Sequence, residues 1–112
     1  MAALTDLEYH RLTDALLRRI EIQADAWLQD DVIDIDAQRT GGLLELSFPN
    51  RSKVVVNTQP PLQELWLASK AGGFHFSWRD GAWRDTKTSA PFDAVFNEQV
   101  SLQAGRGLIL SA

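Results

Sequence analysis

The sequence predicts an α+β fold: a two-layer α/β sandwich in which two helices pack on one face of a five- to six-stranded antiparallel sheet. Three observations predict it. An apolar stripe of helical period runs through the first thirty residues. A series of short segments with period two, separated by tight turns, fills the middle. A second stretch of helical period follows Pro91. The short connections dictate an antiparallel meander, because a parallel crossover needs about a dozen residues or more.

The first helix opens at Thr5 as N-cap, with Glu8 three residues on to complete a capping box. Tyr9, Leu12, Leu16, Ile20, Ala24 and Trp27 recur at threes and fours as the inner stripe of a helix of about five to six turns. Arg11, Asp14, Arg18, Glu21 and Asp25 form the outer stripe, mixed in charge at its start and acidic at its end. Gln29-Asp30-Asp31 breaks the helix.

The period then changes to two. Ile33, Ile35 and Ala37 alternate with Asp34 and Asp36 in a first strand, and Arg39-Thr40-Gly41-Gly42 makes a turn. Leu44, Leu46 and Phe48 mark a second strand, which Pro49-Asn50-Arg51-Ser52 closes as a hairpin turn. Lys53 to Asn57 is the third strand, ending at Gln59-Pro60-Pro61. Leu65 to Ser69 and Phe74 to Trp78 are the next two, with a short last strand around Trp83. Thr88 or Ser89 caps the second helix, Pro91 lies in its first turn, and Gly105 ends it. The tail Leu108-Ile109-Leu110 packs back on the core. The whole chain, 1–112, is expected to be one domain.

Strand parity predicts what the uncovered sheet face displays. With Val54, Val56, Leu65, Leu67, Phe74, Phe76 and Trp78 turned inward, Asn57, Trp66, Ala68, His75 and Ser77 turn outward, and Gln59 follows Asn57. An exposed indole among polar groups is a natural interface anchor.

Charge is distributed unevenly. Nine of the fifteen acids lie in the first thirty-six residues, against three of the eleven bases. Such a split describes a partner surface rather than a fold. Clustered oxygen ligands without soft ligands suit hard cations or a basic protein surface. With no cysteine, disulfides, a thiol nucleophile and cysteine ligation of a cluster are excluded. The net charge of −4 and the lack of a basic stripe argue against nucleic acid. No apolar run approaches the roughly 20 residues that span a bilayer, and the first residues resemble neither a signal nor a transit peptide, so a cytoplasmic location is expected.

Gly41-Gly42, Phe48, Ser52-Lys53, Asn57, Gln59, Pro61, Gln63, Leu65-Trp66-Leu67-Ala68, Lys70, Gly72-Gly73, His75-Phe76 and Trp83 closely resemble the frataxin family. Glu8 to Leu12 and Trp27 look like its bacterial branch. The resemblance covers roughly positions 5 to 106 and is most specific from Asn57 to Phe76. It implies the sandwich already derived. It also implies weak iron binding on an acidic ridge, which by position is Glu21, Asp25, Asp30, Asp31, Asp34 and Asp36. The family further binds the cysteine desulfurase of the iron–sulfur assembly machinery, and its bacterial members regulate it. The surface meeting that machinery corresponds to Asn57, Gln59, Trp66 and His75. Ile22, Ala26 and Leu28 stand where bacterial relatives often carry further acids, and the turn Gln38-Arg39-Thr40 looks longer than usual and adds a base near the ridge.

Exposed carboxylates without a rigid cage stay hydrated, so iron should be held weakly and with little selectivity over other divalent ions. Asp6, His10 and Asp14, at i, i+4 and i+8, are a candidate second metal site that Arg11 and Arg18 oppose. The leading expectation is a regulator and iron donor of cluster assembly, without catalytic residues, acting as a monomer that iron can assemble further. Ferroxidase and iron-storage roles are the alternatives. The inward Glu-x-x-His pairs of di-iron sites do not occur in the sequence.

Overall fold

The computed structural model describes residues 4–111. Helix α1 (Asp6–Gln29) leads into six strands, β1 (Asp36–Thr40), β2 (Leu43–Ser47), β3 (Lys53–Gln59), β4 (Glu64–Ser69), β5 (Gly72–Arg79) and β6 (Ala82–Asp85). Helix α2 (Phe92–Ala104) follows, and a single 3-10 turn, Pro60–Leu62, joins β3 to β4. The strands pair in chain order, every pair antiparallel. Among the described residues no helix is long and apolar enough to cross a membrane.

The capping box forms as the sequence predicts. The Glu8 amide donates to Thr5 Oγ1 (3.1 Å), and the Thr5 amide donates to Glu8 Oε1 (2.9 Å). The bonds to the Thr5 backbone and side chain hold the Glu8 carboxyl below the usual glutamate value. From that start α1 buries Tyr9, Leu16, Leu17, Ile20, Ala24 and Trp27, while Leu12 is half-buried. These side chains meet Leu44, Leu46, Val54, Val56, Leu65, Leu67 and Phe76 from the sheet and Phe92, Phe96 and Val100 from α2. The alternation predicted for β2, β3 and β4 is observed residue by residue.

After α2 the chain folds back across the helix layer, as expected from its apolar tail. The Leu108 amide donates to Ser101 Oγ, the Leu110 amide to Asn97 Oδ1 and the Ser111 amide to Gln23 Oε1. Leu108 and Leu110 are buried, and Ile109 between them points outward.

Strand β3 runs two residues past Asn57 to Gln59, and β5 takes in Gly72, Gly73 and Arg79 beyond the predicted Phe74 to Trp78; two further boundaries differ in ways that bear on the site. The first strand begins at Asp36 rather than Ile33, and Arg39 and Thr40 belong to it rather than to a turn. Thr40 pairs Leu43, so the reversal is the two residues Gly41 and Gly42. Gly41 has φ +59°, and a Cβ on Gly42 would stand 2.1 Å from Thr58 Oγ1, which together demand glycine here. Helix α2 starts at Phe92 with Pro91 as N-cap, and neither Thr88 nor Ser89 caps it. Asp85 takes over the local work, its Oδ1 accepting from the amides of Lys87 and Thr88.

Tyr9 ties the helix to the sheet. Its hydroxyl donates to the Glu64 carbonyl (2.5 Å) and accepts from the Gln59 amide (3.0 Å). Tyr9→Phe removes both bonds, so urea denaturation should show a loss of about 1–3 kcal/mol. Burial pushes the Tyr9 phenol above its ordinary value of 10.0. The unfolded chain therefore gives up this proton first, and the contribution, complete below pH 10.0, is lost as pH rises through the higher folded value. The Tyr9→Phe protein should lack that part of the alkaline destabilisation.

Candidate functional site

The acidic edge is built where α1 ends. Asp30 is the C-cap, and Asp31 adopts a left-handed conformation (φ 55°) that reverses the chain. The amides of Val32 and Ile33 then return to the Trp27 carbonyl. Asp34 lies in the irregular stretch before the first strand, and Asp36 is the first residue of β1, at one border of the sheet. Asp25, Asp30, Asp31, Asp34 and Asp36 are all exposed, and among the described residues none forms an ion pair with a Lys or Arg.

Glu21 behaves differently. Arg39 lies on the helix side of β1 and reaches α1, where one guanidinium nitrogen bonds Glu21 Oε1 (3.2 Å) and the other bonds Asp14 Oδ1. Burial works against the charge on Arg39, but its bonds to Asp14 and Glu21 outweigh that and raise its pKa. The base predicted near the ridge is therefore bound to the ridge's first carboxylate. Arg106 also donates to the Val32 carbonyl, which brings a second base to the border of the edge. Sequence reasoning missed this residue, because it lies 74 positions from Val32.

Among the described residues no three His, Cys, Asp or Glu side chains converge to cage an ion. Asp6, His10 and Asp14 accordingly do not gather into a metal site. Asp14 is engaged by Arg39, and the His10 ring packs edge-on against Tyr9 at 5.6 Å. His10, Asp14 and Arg39 instead line an open groove of about 530 Å³ between α1 and the β1–β2 turn.

The uncovered sheet face carries the other predicted set. Leu43, Asn57, Trp66 and His75 stand opposite one another across β2, β3, β4 and β5 in one row, and Gln59 stands one row on, opposite Glu64. Parity thus placed all four predicted residues on this face. The indole is not bare, however. Trp66 stacks on His75 with ring centroids 4.2 Å apart and planes 7° from parallel, and its Nε1 donates to Glu64 Oε1 (2.8 Å). His75 Nδ1 lies 3.9 Å from the same oxygen. Trp66 is therefore half-buried while still outside the core. Glu64 is the residue missed here; standing two positions before Trp66, it shares that face by strand parity.

Two helices on one face of a six-stranded meander, with an acidic border where α1 meets β1, define an α/β sandwich of the frataxin type. The frataxin-like domain family matches residues 2–106, and the chain belongs to the frataxin family. It is 46% identical over 109 residues to a Polaromonas protein described as iron-sulfur cluster assembly protein CyaY, covering 97% of this chain and 94% of that one. A protein of the same description from Paracidovorax citrulli is 41% identical, with 97% and 99% covered. Frataxin from Psychromonas ingrahamii superposes with a TM-score of 0.83 at 28% identity, over 97% of this chain and all of that one. Trimeric yeast frataxin complexed with ferrous iron superposes with a TM-score of 0.68 at 25% identity, over 95% of this chain and 91% of that one.

Proposed function

We propose that this protein serves iron–sulfur cluster assembly as a non-catalytic accessory. In this reading its acidic edge binds a basic surface of the cysteine desulfurase and holds iron weakly, and its open sheet face meets the scaffold machinery. One observation carries the reading: five carboxylates, from Asp25 to Asp36, are exposed at one border with no Lys or Arg paired to them among the described residues. The description of the 46% identical relative as an assembly protein supports the pathway, and the ferrous yeast structure supports iron as the cation.

Iron is cargo here rather than a resident cofactor. Exposed oxygen ligands suit ferrous or ferric ions, and their hydration keeps the affinity low. Glu21 contributes least of the six ridge residues, because a cation there competes with Arg39. Partner binding regulates the desulfurase in this reading, and iron held on the edge is available for donation. The protein works as a monomer in the cytoplasm, and added iron is the condition under which larger assemblies would form.

Pull-down with the desulfurase, with and without iron, tests the proposal, and recovery in neither condition would overturn it. A ferrous titration followed by two-dimensional NMR locates the metal. The amides of Asp25 and of residues 30–36 should shift most, with smaller changes at Glu21. Shifts concentrated at Asp6, His10 and Asp14 would move the cation site to the start of α1.

A further inference from the structure

The opposite border of the sheet carries two arginines, and both are held in an unusual way. Arg79 of β5 and Arg84 of β6 both belong to the open face, since Ser77 pairs Arg84 and Arg79 follows Ser77 by two. Arg79 donates from Nε to Ser77 Oγ (3.1 Å) and from Nη2 to the Asp85 carbonyl (2.9 Å). Arg84 donates from Nε to the Arg79 carbonyl and from Nη1 to the Ser89 carbonyl, both at 3.3 Å.

Both side chains are half-buried, and among the described residues neither is paired with a carboxylate. The other two half-buried arginines, Arg19 and Arg39, are both paired, with Asp93 and with Asp14 and Glu21. Of the acids beside them in the chain, Asp80 is exposed in the β5–β6 turn and forms no ion pair with either among the described residues, and Asp85 is buried and turned to the amides of Lys87 and Thr88. Two guanidinium groups are thus partly withdrawn from water, fixed by neutral acceptors, and not paired with a carboxylate among the described residues. An arriving carboxylate recovers the solvation they have lost and finds a donor fork already in place.

We propose that this corner receives an acidic segment of the protein that covers the open sheet face, with Arg79 and Arg84 binding its carboxylates beside the Trp66–His75 stack. The proposal rests on the reading that this face meets the assembly machinery. It adds that the partner is itself divided in charge, basic toward β1 and acidic toward β6. Charge complementarity of this kind fixes orientation as well as attraction.

A decamer of glutamate titrated into the native protein tests the corner without any partner. The Nε–H resonances of Arg79 and Arg84 should shift together and saturate, while those of exposed Arg11, Arg18 and Arg51 move little. Equal movement at all five would reduce the effect to general attraction and overturn the proposal. In the second arm, the Arg79→Gln/Arg84→Gln protein is measured against the desulfurase–scaffold complex. Its affinity should fall about tenfold at low salt and rejoin the native value near 1 M salt, where the Debye length is about 3 Å. Native affinity and native salt dependence in that variant would sink the proposal. Failure of the native protein to bind the complex at all would instead sink the wider reading, and the peptide titration still decides the corner.

Discussion

Replacing Asp34 and Asp36 together by Lys should weaken binding to the desulfurase by about a hundredfold at low salt and leave the fold unchanged, within the range over which charged surfaces alter association. Both side chains are exposed, and neither is paired with a base among the described residues, so no buried interaction is lost. Asp36 stands at the outer strand opposite Ser47, where a Lys fits the extended backbone without strain. Two charges are reversed at one border, which raises the cost of approach for a basic partner more than it alters contacts. The loss should therefore lie mainly in the association rate. It should shrink as the Debye length falls from about 8 Å at physiological salt to about 3 Å at 1 M. Biolayer interferometry at two ionic strengths, with thermal unfolding by circular dichroism, checks both halves. Native affinity that does not change with salt would remove the electrostatic account.

Trp66→Ala should separate stability from binding. The indole lies on the uncovered face, half-buried by His75 and by its bond to Glu64. Truncation loses that stack and one hydrogen bond but opens no cavity in the core. The cost should be about 1–2 kcal/mol, below the ~3–5 kcal/mol of a fully buried Trp truncation. Binding to the assembly machinery should fall by about thirtyfold, the loss of roughly 2 kcal/mol that marks an interface hot spot. Iodide should quench Trp66 partly and Trp27 and Trp83 hardly at all, because the last two are 7% and 6% exposed. A Trp66→Ala protein that unfolds many degrees earlier yet binds normally would make the residue structural.

Period and parity carried most of the fold. The helix, the six short strands in meander order and the second helix all follow from spacings of three to four or of two, and the inward sides of β3 and β4 follow with them. The start of β1 was not legible, because Ile33 and Ile35 alternate with acids whether or not a partner strand lies alongside. Register decides it. With Thr40 opposite Leu43, the last residue of β2, Ser47, reaches back only to Asp36, and the chain before it has nothing to pair with.

The same shift moved Arg39 from a turn into a strand, on the side facing α1, where it could reach Glu21. Its effect on the ridge was therefore hidden at the level of sequence. The cap of α2 was obscured because Thr88 and Ser89 are good cap residues in isolation, yet Asp85 organises the turn that contains them. On the open face, parity gave the side of each residue but not its neighbour. The stacking of Trp66 on His75 depends on cross-strand register between β4 and β5, which neither strand encodes alone.

The chain-order pairing of the strands has a consequence for how the molecule is made. Each ladder closes through a neighbouring turn, so the sheet forms by encounters local in sequence, which carry a small loop-closure entropy and favour rapid folding. The long-range contacts are the ones that fasten helices and tail: Tyr9 to Glu64 across 55 positions, and Gln23 to Ser111 across 88. A sheet assembled ahead of these clasps would expose the inner row of Leu44, Val56 and Leu67 to water until α1 docks. Substitutions at the Gly41-Gly42 reversal should then slow folding. Loss of the Gln23–Ser111 clasp should chiefly hasten unfolding, a division that the two arms of a chevron plot read directly.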